Sequence, residues 1–121
     1  MPEFLHGDVT EAVIGAAMEV HRALGAGFVE KIYEKALALE LKLQGVRFQR
    51  QVKVPVYYKG MEAGVHVLDL LVEGKVVVEL KAVAAIVDVH LAFTRSYMTA
   101  TGLQVGLLLN FGKAKLEVRR V

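Results

Sequence analysis

Two short stretches, Val76-Val77-Val78-Glu79-Leu80-Lys81 and Val105-Gly106-Leu107-Leu108-Leu109-Asn110, are apolar at successive positions rather than alternating ones. A strand with one wet face alternates apolar and polar residues, so runs of this kind belong to strands covered on both sides. Between them lies a helical segment that Asp88 is placed to cap, running to about Ala100, with Gly102 as its stop. Strand, helix and strand in this order imply a crossover between two parallel neighbours.

The rest of the chain arranges itself around that unit. Val52, Val54 and Val56 alternate with Lys53 and Pro55, and Tyr57-Tyr58 lead to a Lys59-Gly60 turn. Pro55 has no N–H for a ladder, which predicts an edge strand or a bulge. A second strand is expected over Ala63–Val72, and Glu73-Gly74-Lys75 reverses it into Val76–Lys81 as an antiparallel meander. Leu116–Arg120 reads as a last edge strand. Ahead of the strands, Val9, Val13, Ala16, Ala17, Val20 and Leu24 recur at helical spacing, with Asp8 and Glu11 as a capping box and Gly25 as the stop. A second helix is expected over Phe28–Gln44, with Ile32, Ala36, Leu39 and Leu43 on its apolar stripe. The predicted class is α/β (α+β): a central mixed sheet with an antiparallel meander, one parallel crossover strand and helices on both faces.

Composition limits the function classes. The 121 residues are 55% hydrophobic and contain no cysteine, which excludes thiol catalysis and cysteine-ligated zinc or iron–sulfur centres. A chain of this length buries roughly two-thirds of the surface its unfolded form exposes, so no disulfide or structural metal is needed. With no linker, repeat or low-complexity tract, residues 1–121 are expected to fold as a single unit. No apolar run approaches the roughly 20 residues that span a bilayer, and Met1 to Phe4 lacks the features of a signal peptide. No membrane association and a cytoplasmic location are the expectations. The net charge of +2 hides an asymmetry: residues 1–45 hold 4 basic and 7 acidic side chains, whereas residues 46–121 hold 11 and 6. A polyanion would favour the second part, although that surplus falls short of a dense basic stripe.

Three ionisable residues fall inside apolar strand runs: Asp69, Glu79 and Lys81. Buried charges are costly unless paired or bound to a metal. Glu79 and Lys81 leave the same face of their strand, and the turn at Gly74 brings Asp69 alongside, close to the position opposite Glu79. Two such carboxylates repel, and a divalent cation relieves the repulsion. Hard oxygen donors suit Mg²⁺ or Mn²⁺ with phosphate oxygens and waters completing the shell, and a lysine beside them can hold or deprotonate an attacking water. A plain ion pair that sets strand register accounts for the same three residues.

Gly27-Phe28-Val29-Glu30-Lys31-Ile32-Tyr33 matches the Gly-x-x-Glu-x-x-Tyr signature of the GxxExxY proteins. Val20 to Gly25, Tyr58-Lys59-Gly60, Asp69 to Val72, Glu79 to Val83 and Gly106 to Gly112 resemble the same family in order, so the resemblance covers nearly the whole chain. That family is regarded as part of the PD-(D/E)xK nuclease-like superfamily. The resemblance implies a restriction-endonuclease-like core and metal-dependent hydrolysis of phosphodiester bonds in DNA or RNA. It implies Asp69 and Glu79 as metal ligands, Lys81 as the catalytic lysine and Glu30 as an accessory acid, with Tyr33, His21 and Tyr97 as accessory positions. Phe93 stands where such proteins usually carry glutamine, and Val67 where a basic residue is common. These departures motivate an alternative: a catalytically silent nucleic-acid-binding or protein-assembly module that keeps the fold.

Taken without the resemblance, Glu30 and Tyr33 share a helix face and read equally as a surface acid and a core-edge aromatic. His6, His21, His66 and His90 lack zinc-ligand spacing, with His66 and His90 expected to be solvated. Lys113, Lys115, Arg119 and Arg120 make the C-terminal segment basic, as a solvated edge strand or a nucleic-acid contact. Exposed sheet edges also allow a homodimer.

Overall fold

The two continuously apolar runs lie at the middle of a mixed sheet. In a computed structural model that describes residues 4–121, the strands are β1 (Phe48–Tyr58), β2 (Met61–Val72), β3 (Val76–Lys81), β4 (Val105–Asn110) and β5 (Glu117–Arg120), adjacent in that order. Residues 1–3, which belong to the expected single unit and to the segment read for a signal peptide, lie outside the described residues. The helices are α1 (Gly7–Leu24), α2 (Glu30–Leu43) and α3 (Asp88–Thr101). β3 and β4 run parallel with Val76 opposite Val105 and Lys81 opposite Asn110, and the other neighbours are antiparallel.

Alternation along the central strands assigns each helix its face. Val76, Val78, Leu80, Val105, Leu107 and Leu109 join the core cluster that contains Val9, Val13, Tyr33, Leu37 and Leu41 of α1 and α2. Gly106 faces the other way, where a Cβ would lie 2.7 Å from Met98 Sδ and 3.1 Å from Thr94 Cγ2 of α3. Helices therefore cover both faces of the centre, where a polar side chain is costly unless it is hydrogen-bonded or paired. No helix among the described residues is long and apolar enough to cross a membrane.

Several local expectations shift. α1 begins one residue before Asp8: His6 is its N-cap in a left-handed conformation with no side-chain cap bond, so Asp8 lies in the first turn as a partner of the helix dipole. Val87, not Asp88, precedes α3, and the His90 ring Nδ1 accepts the Val87 N–H at 3.0 Å. α2 buries a different stripe from the one expected. Tyr33, Glu34, Leu37, Ala38 and Leu41 face inward, while Ile32, Leu39 and Leu43 are exposed. Apolar residues occur nearly all round this helix, so periodicity alone does not select the face. The Tyr33 ring stacked 4.6 Å from Phe111 selects it. Pro55 behaves as expected, on the edge strand and next to a bulge between Val56 and Tyr57.

The long β1–β2 hairpin shapes the site. β1 pairs with β2 along its whole length, but β2 pairs with β3 only from Leu70↔Val78 to Val72↔Val76. Beyond Leu70 the hairpin leaves the sheet as a two-stranded ribbon, and the split opens a fork between β2 and β3. Residues four apart on a flat strand share a face, yet Leu70 joins the α1–α2 core cluster whereas His66 contacts Tyr97 of α3. The ribbon thus turns over near Asp69, which lets helices on both faces reach the fork.

Candidate active site

Asp69 and Glu79 occupy the fork. Continuing the β2–β3 register by one pair sets them opposite each other, where the ladder stops. Their side chains replace the missing rungs: the Asp69 N–H donates to Glu79 Oε1 at 3.0 Å, and the Leu80 N–H donates to Asp69 Oδ2 at 2.9 Å. Each carboxylate is anchored on the other strand, so neither is free to swing away. Glu79 is buried and Asp69 half-buried.

The charges at the fork are under tension. Burial, then the Asp69 charge, push the Glu79 carboxyl up to about 9. Burial also raises Asp69, opposed by the Leu80 N–H. Both carboxyls are thus held above their ordinary range, as expected of two acids close together in a poorly solvated site. Lys81 leaves the same face of β3 as Glu79, since Leu80 between them, like Val78 before Glu79, points into the core. Its charge acts on Glu30, Asp69 and Glu79 together. Among the described residues it closes no salt bridge with any of them.

The Gly-x-x-Glu-x-x-Tyr segment is the joint between α1 and α2. Gly27 has φ 112°, a conformation that L side chains rarely adopt. Tyr33 is fully buried, and its hydroxyl donates to the Gly25 carbonyl and accepts the Phe28 N–H, tying down both sides of the joint. His21 contacts the same aromatic group, its Nε2 lying 2.8 Å from the Lys113 carbonyl oxygen and its ring 6.0 Å from that of Phe111. Tyr33 and His21 therefore brace the helix pair against the β4–β5 connection. Glu30, the first residue of α2, is the member of the motif turned to the fork: burial raises its pKa, and Asp69 raises it further.

From the other side comes α3. The pKa of the Tyr97 hydroxyl is raised by burial and by the charges of Glu79, Asp69 and Glu30, which places the residue beside all three acids. Its ring meets His66 edge-on at 4.4 Å, and His66 Nε2 lies 3.1 Å from Ser96 Oγ. His66 is half-buried against α3 rather than solvated as expected, and His90 is half-buried at the start of that helix.

Sequence reasoning missed Glu34, Arg50 and Gln51. Glu34 is buried one turn beyond Glu30; Arg50 Nη2 donates to its Oε2 at 3.0 Å and Gln51 Nε2 to its Oε1 at 2.7 Å. Its charge also raises the pKa values of Asp69 and Glu30. The four-residue spacing from Glu30 was the available signal, since residues i and i+4 share a helix face. Arg50 and Gln51 left no comparable trace, because their partner is remote in sequence.

Among the described residues, no three histidine or acidic side chains converge as a ready metal cage. The donor set nevertheless fits one hard divalent cation. Mg²⁺ is usually held by one or two carboxylates with water and phosphate oxygens completing its shell, and here two carboxylates are anchored side by side in a site where burial and mutual repulsion disfavour their charged forms. Asp69 and Glu79 are the residues that would hold it.

No curated protein and no solved structure gave a match to the chain. The sequence model of the PD-(D/E)XK nuclease superfamily matches residues 7–121. Nucleases of this type generally use divalent metals such as Mg²⁺, in keeping with the acid pair at the fork. With a match over almost the whole length and a mixed five-stranded sheet flanked by three helices among the described residues, this chain belongs to the PD-(D/E)XK nuclease superfamily.

Proposed function

We propose that this chain is a Mg²⁺- or Mn²⁺-dependent nuclease of the GxxExxY type that hydrolyses phosphodiester bonds of DNA or RNA. The observation that carries the reading is the Asp69–Glu79 pair, cross-anchored where β2 and β3 part, with Lys81 on the same strand face as Glu79.

A bound divalent cation supplies Lewis-acid stabilisation of the charge that builds on the phosphate. Asp69 and Glu79 are the residues that would hold it, each carboxylate anchored on the other's strand. Lys81 Nζ, a charged hydrogen-bond donor, would hold the attacking water in line; as the water oxygen bonds to phosphorus the P–O bond to the leaving oxygen breaks, the water's proton passes to solvent and the leaving oxygen takes one from solvent. Glu30 at the start of α2 and Tyr97 on α3 bound the fork from opposite faces of the sheet and limit the directions from which a phosphate enters. The basic surplus in residues 46–121 favours a polyanionic substrate over a neutral one.

Purified wild-type protein is expected to cleave DNA or RNA when Mn²⁺ is present and to stop when it is chelated. Glu79→Ala is expected to lose cleavage while keeping its circular dichroism spectrum. Cleavage that survives this replacement overturns the assignment. Nucleic acid bound by wild type but never cleaved is the outcome expected of the silent module suggested by Phe93 and Val67.

A further inference from the structure

Gln51 lies in the middle of a strand with φ 51°, inside the left-handed region. A side chain there is uncommon and strained, and glycine or asparagine is the ordinary choice. The β1–β2 pairing runs from Arg50↔Leu70 straight to Val52↔Leu68, so the register sets Gln51 opposite Asp69 on a rung that does not form. The unusual backbone thus falls at the level of the candidate metal ligand, where the hairpin leaves the sheet and turns over. Gln51 Nε2 also donates to Glu34 Oε1 at 2.7 Å, while Arg50 takes the other oxygen at 3.0 Å. Glu34 is buried, and it lies one helical turn from Glu30.

We infer that Gln51 is a positioning residue of the active site: its hydrogen bond to Glu34 fastens α2 to β1 one turn beyond Glu30 and thereby sets Glu30 against Asp69. The inference rests on the proposed metal-dependent chemistry. A residue that served only to shape the strand would be replaced by glycine at no loss, since glycine adopts this backbone without strain. The amide is needed because it satisfies the Glu34 oxygen that Arg50 leaves open, without adding a second cation. Partners bonded directly to a metal ligand commonly alter metal affinity roughly 10- to 100-fold when removed, and Gln51, which acts through Glu34 and Glu30, stands further out and is expected to have a smaller effect.

The test compares Mn²⁺ titration calorimetry and metal-free melting for wild type, Gln51→Gly, Gln51→Glu and the exchange Gln51→Glu with Glu34→Gln. Gln51→Gly, in which relief of the backbone strain offsets the lost hydrogen bond, is expected to melt close to wild type yet bind Mn²⁺ several-fold more weakly. Gln51→Glu is expected to weaken binding by setting two carboxylates together, and the exchange to restore it by remaking the hydrogen bond with donor and acceptor reversed. Wild-type affinity in both single variants overturns the inference, as does an exchange that rescues nothing. If Gln51→Gly fails to fold, Gln51→Glu and the exchange decide. If the wild type itself binds no Mn²⁺, the metal reading fails separately. Amide hydrogen exchange of metal-free Gln51→Glu then decides the inference: faster exchange confined to the first turns of α2 supports it, and unchanged exchange overturns it.

Discussion

Asp69 and Glu79 are legible as a pair because both interrupt apolar strands, and the turn at Gly74 sets them nearly opposite. Their electrostatic state has a measurable consequence without substrate or metal. Folding raises the Glu79 carboxyl from 4.5 to about 9, so the native state binds its proton more tightly than the unfolded chain does. The resulting stabilisation is fully present below pH 4.5 and is lost as pH rises towards about 9. Metal-free wild type should therefore become easier to unfold with urea as pH rises through this window. Glu79→Gln, which keeps the acceptor for the Asp69 N–H and removes the titration, should show a shallower slope and exceed wild type at the alkaline end. Parallel slopes in the two proteins would exclude Glu79 as the source. The residues that escaped sequence reading, Glu34 and Gln51, did so for a physical reason. A buried acid on a helix looks like a surface acid until its partner is known, and that partner lies 17 positions away.

At the scale of elements, the connections do as much for the site as the strands. Asn110 at the end of β4 is fully buried and clamps the segment that follows Lys81: its Oδ1 accepts the N–H groups of Val83 and Gly112, and its Nδ2 donates to the Val83 carbonyl and Glu117. The chain passes so closely that a Cβ on Gly112 would lie 2.4 Å from Val83 N. Asn110→Ala leaves buried backbone groups unsatisfied, each costing about 1–3 kcal/mol. The variant should lose about 2 kcal/mol or more in urea unfolding, together with part of its metal affinity because Lys81 and Glu79 are held less firmly. A stability loss under about 0.5 kcal/mol would show the clamp to be dispensable. The elements themselves were largely readable in advance. β3 and β4 match the expected bounds because both faces of each strand are buried, whereas the face of α2 was misread because its apolar residues encircle it.

Across the whole molecule, stability and function divide between the sheet centre and its ribbon. β3 and β4 are buried and pair with each other along their whole length, while the far end of the β1–β2 hairpin, residues 57–65, is exposed and paired only within itself. Amides of Val76–Leu80 and Val105–Asn110 should exchange hydrogen only through global unfolding, and those of residues 54–64 through local opening orders of magnitude faster. Equal protection in the two regions would contradict the fork as a boundary between them. By itself the sequence determined the element order, the parallel crossover and the acid pair, because hydrophobic period and turn chemistry are local and each strand's burial is written in its own residues. Only the tertiary structure decided that the β1–β2 ribbon parts from β3 at Asp69, and that Glu30 and Tyr97 approach the fork from opposite faces. It alone placed Gln51 in a strained backbone to hold Glu34. Those outcomes depend on how a twisted hairpin packs between two layers of helices, and no short window of sequence carries that information.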